Sequence, residues 1–142
     1  LWGMTELSGA GTSNPALAIN KPGTIGPALP GTMARVVDLE EPEREVAAGE
    51  PGELMIKGPL VMQGYYGNPD ATAETIRADG WMHTGDVVTM DEDGYFTIVD
   101  RKKDMILTAG FNVYRAELPL LLPPYVVLMI LPREKLPRPM WY

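Results

Sequence analysis

No cysteine occurs in the 142 residues, so disulfides, thiolate nucleophiles and thiolate metal sites are all excluded. Histidine is almost as scarce, with His83 the one imidazole in the chain. Basic residues are the minority charge: 12 Lys and Arg against 19 Asp and Glu leave a formal net charge of -7. Neither a basic stripe nor an aromatic platform offsets that deficit, which argues against nucleic acid as a partner. Long apolar runs are also missing. The longest, residues 118–132, has 15 residues and four prolines, too short and too interrupted to span a membrane. No signal peptide is visible, and Leu1-Trp2-Gly3-Met4 reads as the middle of a longer text. A cytoplasmic location is compatible with all of this, with contact at a membrane surface as the alternative.

What is abundant is punctuation. The 15 glycines and 14 prolines exceed average usage, and six of the prolines fall within residues 119–142. A hydrophobic share of 45% is normal for a globular chain and too high for a disordered one. The chain can therefore build a core, from short elements.

Taken in order, residues 1–18 form a polar loop with glycines at 3, 9 and 11, either facing a ligand or fraying at the end. Residues 32–39 read as a strand before an acidic loop, and residues 53–57 as a second short strand after the Gly49-Glu50-Pro51-Gly52 turn. Asn68-Pro69-Asp70 is a helix start, with a capping amide, a proline tolerated at the first helical position and an acid at the positive dipole end. Asp79-Gly80 keeps that helix short. Residues 80–117 carry the densest signal. Thr84-Gly85-Asp86 leads into an apolar strand, Asp91-Glu92-Asp93-Gly94 predicts a tight antiparallel turn, and Tyr95 to Val99 leads out of it. Phe96 and Ile98 should share one face of that strand. The charge run Asp100-Arg101-Lys102-Lys103-Asp104 is either a joint between structural units or a solvated turn. A strand at 105–107, a bend at 109–112 and a fully apolar strand at 126–131 complete the reading.

Four segments in one order carry a resemblance: Trp2-Gly3-Met4-Thr5-Glu6; Gly52-Glu53-Leu54 with Gly58 and Gly64-Tyr65; Gly80-Trp81 through Thr84-Gly85-Asp86; and Asp100-Arg101-Lys102-Lys103-Asp104 through Gly110 to Glu117. Over about residues 1–118 the chain resembles the adenylate-forming (AMP-binding) enzymes, most of all the acyl-CoA synthetases and fatty-acid–CoA ligases. Such enzymes join a carboxylic acid to the α-phosphate of ATP with Mg2+, releasing pyrophosphate, and pass the acyl group to coenzyme A. The resemblance implies that Trp2 lies against adenine, Thr5 meets the α-phosphate and Glu6 is the magnesium carboxylate. It implies that Asp86 accepts hydrogen bonds from both ribose hydroxyls and that Arg101 also reaches the ribose. Lys103 matches the hinge, and Gly110 the loop that lines the thiol passage. His83 falls outside the essential positions and reads as a solvated loop residue.

Departures accompany the match. Arg115 and Pro119 stand where the family commonly has proline and an acid, and the resemblance fades after Glu117. Neither the Ser/Thr/Gly-rich phosphate loop nor the C-terminal catalytic lysine is present, and Lys135 lacks that lysine's context. The expectation is thus an incomplete segment of a ligase, inactive alone. The fold expected is mostly β with minor α. Residues 1–21 form a nucleotide-contacting loop, 22–100 a distorted small β-barrel, 101–104 a hinge, and 105–142 the start of an incomplete α+β C-terminal domain. Exposed apolar edges, especially 126–131, would favour self-association. Two other readings stay open: a non-catalytic β-rich binding or interaction module, and a segment of a peptide-synthetase adenylation domain.

Overall fold

The structure, a computed structural model, describes residues 1–104, 106–108 and 111–113. The chain divides into two compact units, Leu1–Lys103 and Asp104–Tyr142. In the first, four antiparallel strands lie in sequential order: β1 (Met33–Val37), β2 (Gly52–Lys57), β3 (Met82–Met90) and β4 (Phe96–Arg101). One helix, α1 (Pro69–Thr75), and a 3-10 turn, Thr5–Leu7, accompany the sheet, and a second 3-10 turn, Lys102–Asp104, follows β4. In the second, β5 (Ile106–Thr108) pairs with β6 (Phe111–Val113), so Phe111 and Asn112 are strand residues rather than part of a bend. The expected strand at 126–131 and the tail lie outside the described residues.

The local predictions follow their chemistry. Asn68 Oδ1 accepts from the Ala71 amide at 3.2 Å, and Pro69 opens the helix. At the β3–β4 turn, Asp91 Oδ1 accepts from the amides of Asp93 and Tyr95 at 3.0 and 2.9 Å, and Gly94 takes the positive φ of 78° that closes it.

The sheet does not close into a barrel, which corrects the fold expected for residues 22–100. β1 and β4 are its two edges and do not pair. Four strands are too few to curl the sheet through a full turn, and loops already occupy both edges. Along β4, the Ile25 amide donates to the Phe96 carbonyl at 2.8 Å and the Phe96 amide to the Gly26 carbonyl at 3.3 Å. Along β1, the Val46 amide donates to the Val36 carbonyl at 3.0 Å. Edge groups satisfied by loops have no need of one another.

The core packs on one face, from Leu7, Val36, Leu54, Ile56, Met82, Val88 and Phe96. Leu7 and Thr12 are fully buried, so the opening segment is part of the fold and not a frayed end. An antiparallel bridge between Trp2 and Thr12, with the Trp2 amide donating to the Thr12 carbonyl at 3.0 Å, fixes its path. Central strand β2 is buried on both faces from Gly52 to Ile56. Phe96 enters the core at 3% exposure, whereas Ile98, two residues along β4, is 38% exposed because the edge strand outruns the packing.

Candidate functional site

Two irregularities in the ladder build the site. Between β2 and β3, Glu53 pairs with Val87 and Met55 with His83, so Leu54 alone stands opposite Thr84, Gly85 and Asp86. The extra residues loop out as a bulge. Thr84 Oγ1 donates to the Leu54 carbonyl at 2.7 Å and accepts from the Asp86 amide at 3.2 Å, while Gly85 supplies the positive φ of 72°. The second irregularity is a single extra residue, Val99, on β4. Val88 pairs with Ile98, but Val87 pairs with Asp100 and Asp86 with Arg101. A regular ladder would set Asp100 against Asp86, two carboxylates face to face. The bulge puts a guanidinium there instead.

Asp86 is held from two sides. Trp2 Nε1 donates to Oδ2 at 2.9 Å, and Arg101 Nε lies 3.4 Å from Oδ1. The Asp86 side chain is 11% exposed and that of Arg101 62% exposed. Around the pair opens a cleft of about 470 Å³, walled by Trp2-Gly3-Met4, by Thr84-Gly85-Asp86 and by Arg101-Lys102-Lys103. That volume lies in the range of small-molecule sites, roughly 300–1,000 Å³. An ionised carboxylate offers about four acceptor positions, so two partners leave room for two more hydrogen bonds.

Trp2, Asp86, Arg101 and Lys103 are thus brought onto one cleft. Thr5 and Glu6 are not on its wall; they occupy the 3-10 turn directly after Met4. Thr5 is exposed, and Glu6 Oε1 accepts from the Tyr65 hydroxyl at 2.9 Å. That carboxylate, and then burial, raise the Tyr65 phenol above its ordinary value of 10, so it remains a donor at neutral pH. Gly110 lies outside the described residues. His83 is a β3 residue rather than a loop residue, with Nδ1 3.2 Å from Glu53 Oε2.

Glu53 went unrecognised as a site residue in the sequence. Its side chain is 3% exposed, and Oε2 also accepts from Lys102 Nζ at 2.8 Å. The local signals were its place in the Gly52-Glu53-Leu54 segment and an acid set in a strand otherwise fit for burial. Of the basic run, Arg101 faces Asp86 and Lys102 faces Glu53, while Lys103 is exposed with no partner among the described residues.

Residues 1–66 match the model of the AMP-binding enzyme family. The long-chain-fatty-acid–CoA ligase of Salmonella typhimurium is 53% identical over 82% of this chain and 20% of its own length. The chain matches the AMP-binding enzyme family. The feruloyl-CoA synthase of an Amycolatopsis species is 48% identical over 82% of the chain and 23% of that protein. Among solved structures, ATP-bound MatB from Rhodopseudomonas palustris superposes with a TM-score of 0.75 at 46% identity, covering 81% of this chain and 22% of that one. The chain spans about a fifth of the length of the curated relatives it matches.

Proposed function

We propose that this chain is the ribose-gripping segment of an ATP-dependent acyl-CoA synthetase, one that activates a fatty or aryl acid as its acyl-adenylate and transfers it to coenzyme A. The observation that carries this reading is the Asp86 carboxylate, anchored through both oxygens by Trp2 and Arg101 in the wall of the cleft. A carboxylate so held has its free acceptor positions fixed in direction, which suits the vicinal diol of a ribose. The names of the relatives, a fatty-acid ligase, a feruloyl-CoA synthase and an ATP-bound structure, support the same choice of nucleotide and acid.

In this scheme Asp86 takes the two ribose hydroxyls and Arg101 braces it while reaching toward ribose and phosphate. Trp2 lies against adenine, keeping its indole N–H on Asp86. Thr5 presents its hydroxyl to the α-phosphate. Glu6 is the residue for Mg2+, which typically takes one or two protein carboxylates with phosphate and water for the rest. A lone carboxylate with one oxygen engaged by Tyr65 fits that demand, and among the described residues no cluster of three acids or histidines offers a protein-only cage. Magnesium, when bound, supplies charge neutralisation for two anions brought together in line.

Residues 1–21 serve as the nucleotide-contacting loop and 101–104 as the hinge, with Lys103 at its centre, before a C-terminal portion that begins at 105. Gly110 belongs to the thiol passage. No helix among the described residues is long and apolar enough to cross a membrane. A cytoplasmic place, peripheral to a membrane surface, goes with the proposed ligase activity. Self-association through apolar edges, 126–131 above all, is part of the same reading; that segment lies outside the described residues.

Calorimetric titration of the chain with AMP and 2′-deoxy-AMP tests the ribose assignment: AMP should bind more tightly, and Asp86→Asn should erase the preference. Equal affinity for the two nucleotides in the wild type would refute it. The chain alone should release no pyrophosphate from ATP, Mg2+ and a panel of fatty and aromatic acids. Phosphate-loop donors and the C-terminal lysine act chiefly in the transition state, and neither is present here. Release well above buffer, abolished by Asp86→Asn, would overturn that expectation.

A further inference from the structure

Glu53 is a buried acid to which the adenylate scheme gives no task. It sits on β2 opposite Val87, the residue that follows the β3 bulge, and it is absent from the cleft wall. Its Oε1 accepts from the Gly85 amide at 3.2 Å, its Oε2 from Lys102 Nζ at 2.8 Å, and His83 Nδ1 lies 3.2 Å from that second oxygen. Gly85 precedes Asp86, and Lys102 follows Arg101. One carboxylate therefore grips the neighbour of each member of the pair. Because Glu53 is shut off from water, sliding either segment would leave a buried charge short of a partner, and that cost resists the movement.

We propose that Glu53 is a positioning residue for the Asp86–Arg101 pair. It ties the Thr84–Asp86 bulge to the Arg101–Lys103 segment and sets how the two groups present themselves to a sugar. The ligand in this inference rests on the adenylate reading; the tether itself does not. Lys102 is then a structural cation that gives its ammonium to Glu53 at the cleft wall, while Arg101 faces Asp86.

The test uses the 142-residue chain. Amide hydrogen exchange at Gly85 and Asp86 is followed in wild type, Glu53→Gln and Glu53→Ala, beside calorimetric titration with AMP and 2′-deoxy-AMP. In Glu53→Ala, Gly85 should exchange faster and AMP should bind about 10–100-fold more weakly, on the scale found for losing partners that orient metal ligands. Affinity for 2′-deoxy-AMP should change far less, so the preference for ribose narrows. Glu53→Gln keeps an acceptor for the Gly85 amide and should restore protection there with part of the affinity. Unchanged Gly85 exchange in a folded Glu53→Ala overturns the proposal, as does an equal loss of affinity for both nucleotides. If the wild type binds neither nucleotide, the ribose reading fails by itself and Gly85 exchange decides the tether: faster in the variant supports it, unchanged refutes it. Should Glu53→Ala not fold, Lys102→Met releases the tether at its 36% exposed end: Gly85 keeps its Glu53 acceptor, the preference for ribose should narrow, and an unchanged preference overturns the proposal.

Discussion

The two ends of β3 are built from the same chemistry and differ in depth. At one, Lys102 reaches a Glu53 carboxylate that is 3% exposed. At the other, Lys21 bridges Asp91 and Asp93 at 2.5 and 2.7 Å, on carboxylates 41% and 68% exposed, with its ammonium 4.5 Å from the Tyr95 ring centre. Water competes for every partner at the outer end, so that clamp tunes a turn already dictated by Asp91 and Gly94. At the inner end no water replaces a lost partner, and the ion pair becomes a constraint on the neighbouring cleft. Equal chemistry serves stability in one place and positioning in the other because the solvent differs.

The sharpest way to break the comparison is at the inner end itself. Asp86→Ala should weaken AMP binding on the order of 100-fold, the equivalent of about two charge-assisted hydrogen bonds, by calorimetry. A change below threefold would detach Asp86 from the ligand. Next come the two turn glycines. Gly85→Ala and Gly94→Ala each force a residue with a Cβ into a left-handed conformation, at roughly 1–2 kcal/mol in urea unfolding. Nucleotide affinity should fall only for Gly85→Ala. A matching fall for Gly94→Ala would show that the two ends are coupled.

Charge removal separates the ends more finely. Lys102→Met should lower the melting temperature more than Lys21→Met, and the loss at Lys21 should vanish by about 1 M salt, where screening lengths shrink to roughly 3 Å. Persistence of the Lys21 effect in salt would contradict its assignment as a solvated clamp. The smallest effect is the pH dependence of that clamp. Lys21, and then the Tyr95 amide, hold Asp91 below its ordinary 3.8, and Asp91 and Asp93 raise Lys21 above 10.5. A depressed carboxylate contributes fully above its unfolded value and loses that contribution as pH falls through the folded one; a raised ammonium contributes fully below 10.5 and loses it as pH rises through the folded value. The melting-temperature gap between wild type and Lys21→Met should therefore be constant from about pH 5 to pH 10 and close on both sides. A gap that widens in acid would refute this sign.

Residues near one another in the chain were legible. The Asp91 turn, the Asn68 cap and the strand at 53–57 each follow from groups within a few positions, and the structure contains all three. Sheet closure was not legible, because it turns on whether β1 and β4 meet, and loops around residues 25 and 46 fill those edges first. The extra residue at Val99 was equally hidden: nothing in Ile98-Val99-Asp100 announces that Arg101, not Asp100, will face Asp86. Glu53 stood within a quoted motif without a role, because Gly85 and Lys102 lie 32 and 49 residues away.

The order of residues determined the likeness to the family, the short elements and the kinds of group available, since motifs, caps and turns depend on side chains a few bonds apart. Only the folded chain decided that the sheet stays open, that Trp2 and Arg101 meet on one carboxylate, and that a second carboxylate is sealed behind them. Those outcomes depend on which distant surfaces exclude water together, and burial is a property of the packed whole rather than of any stretch within it.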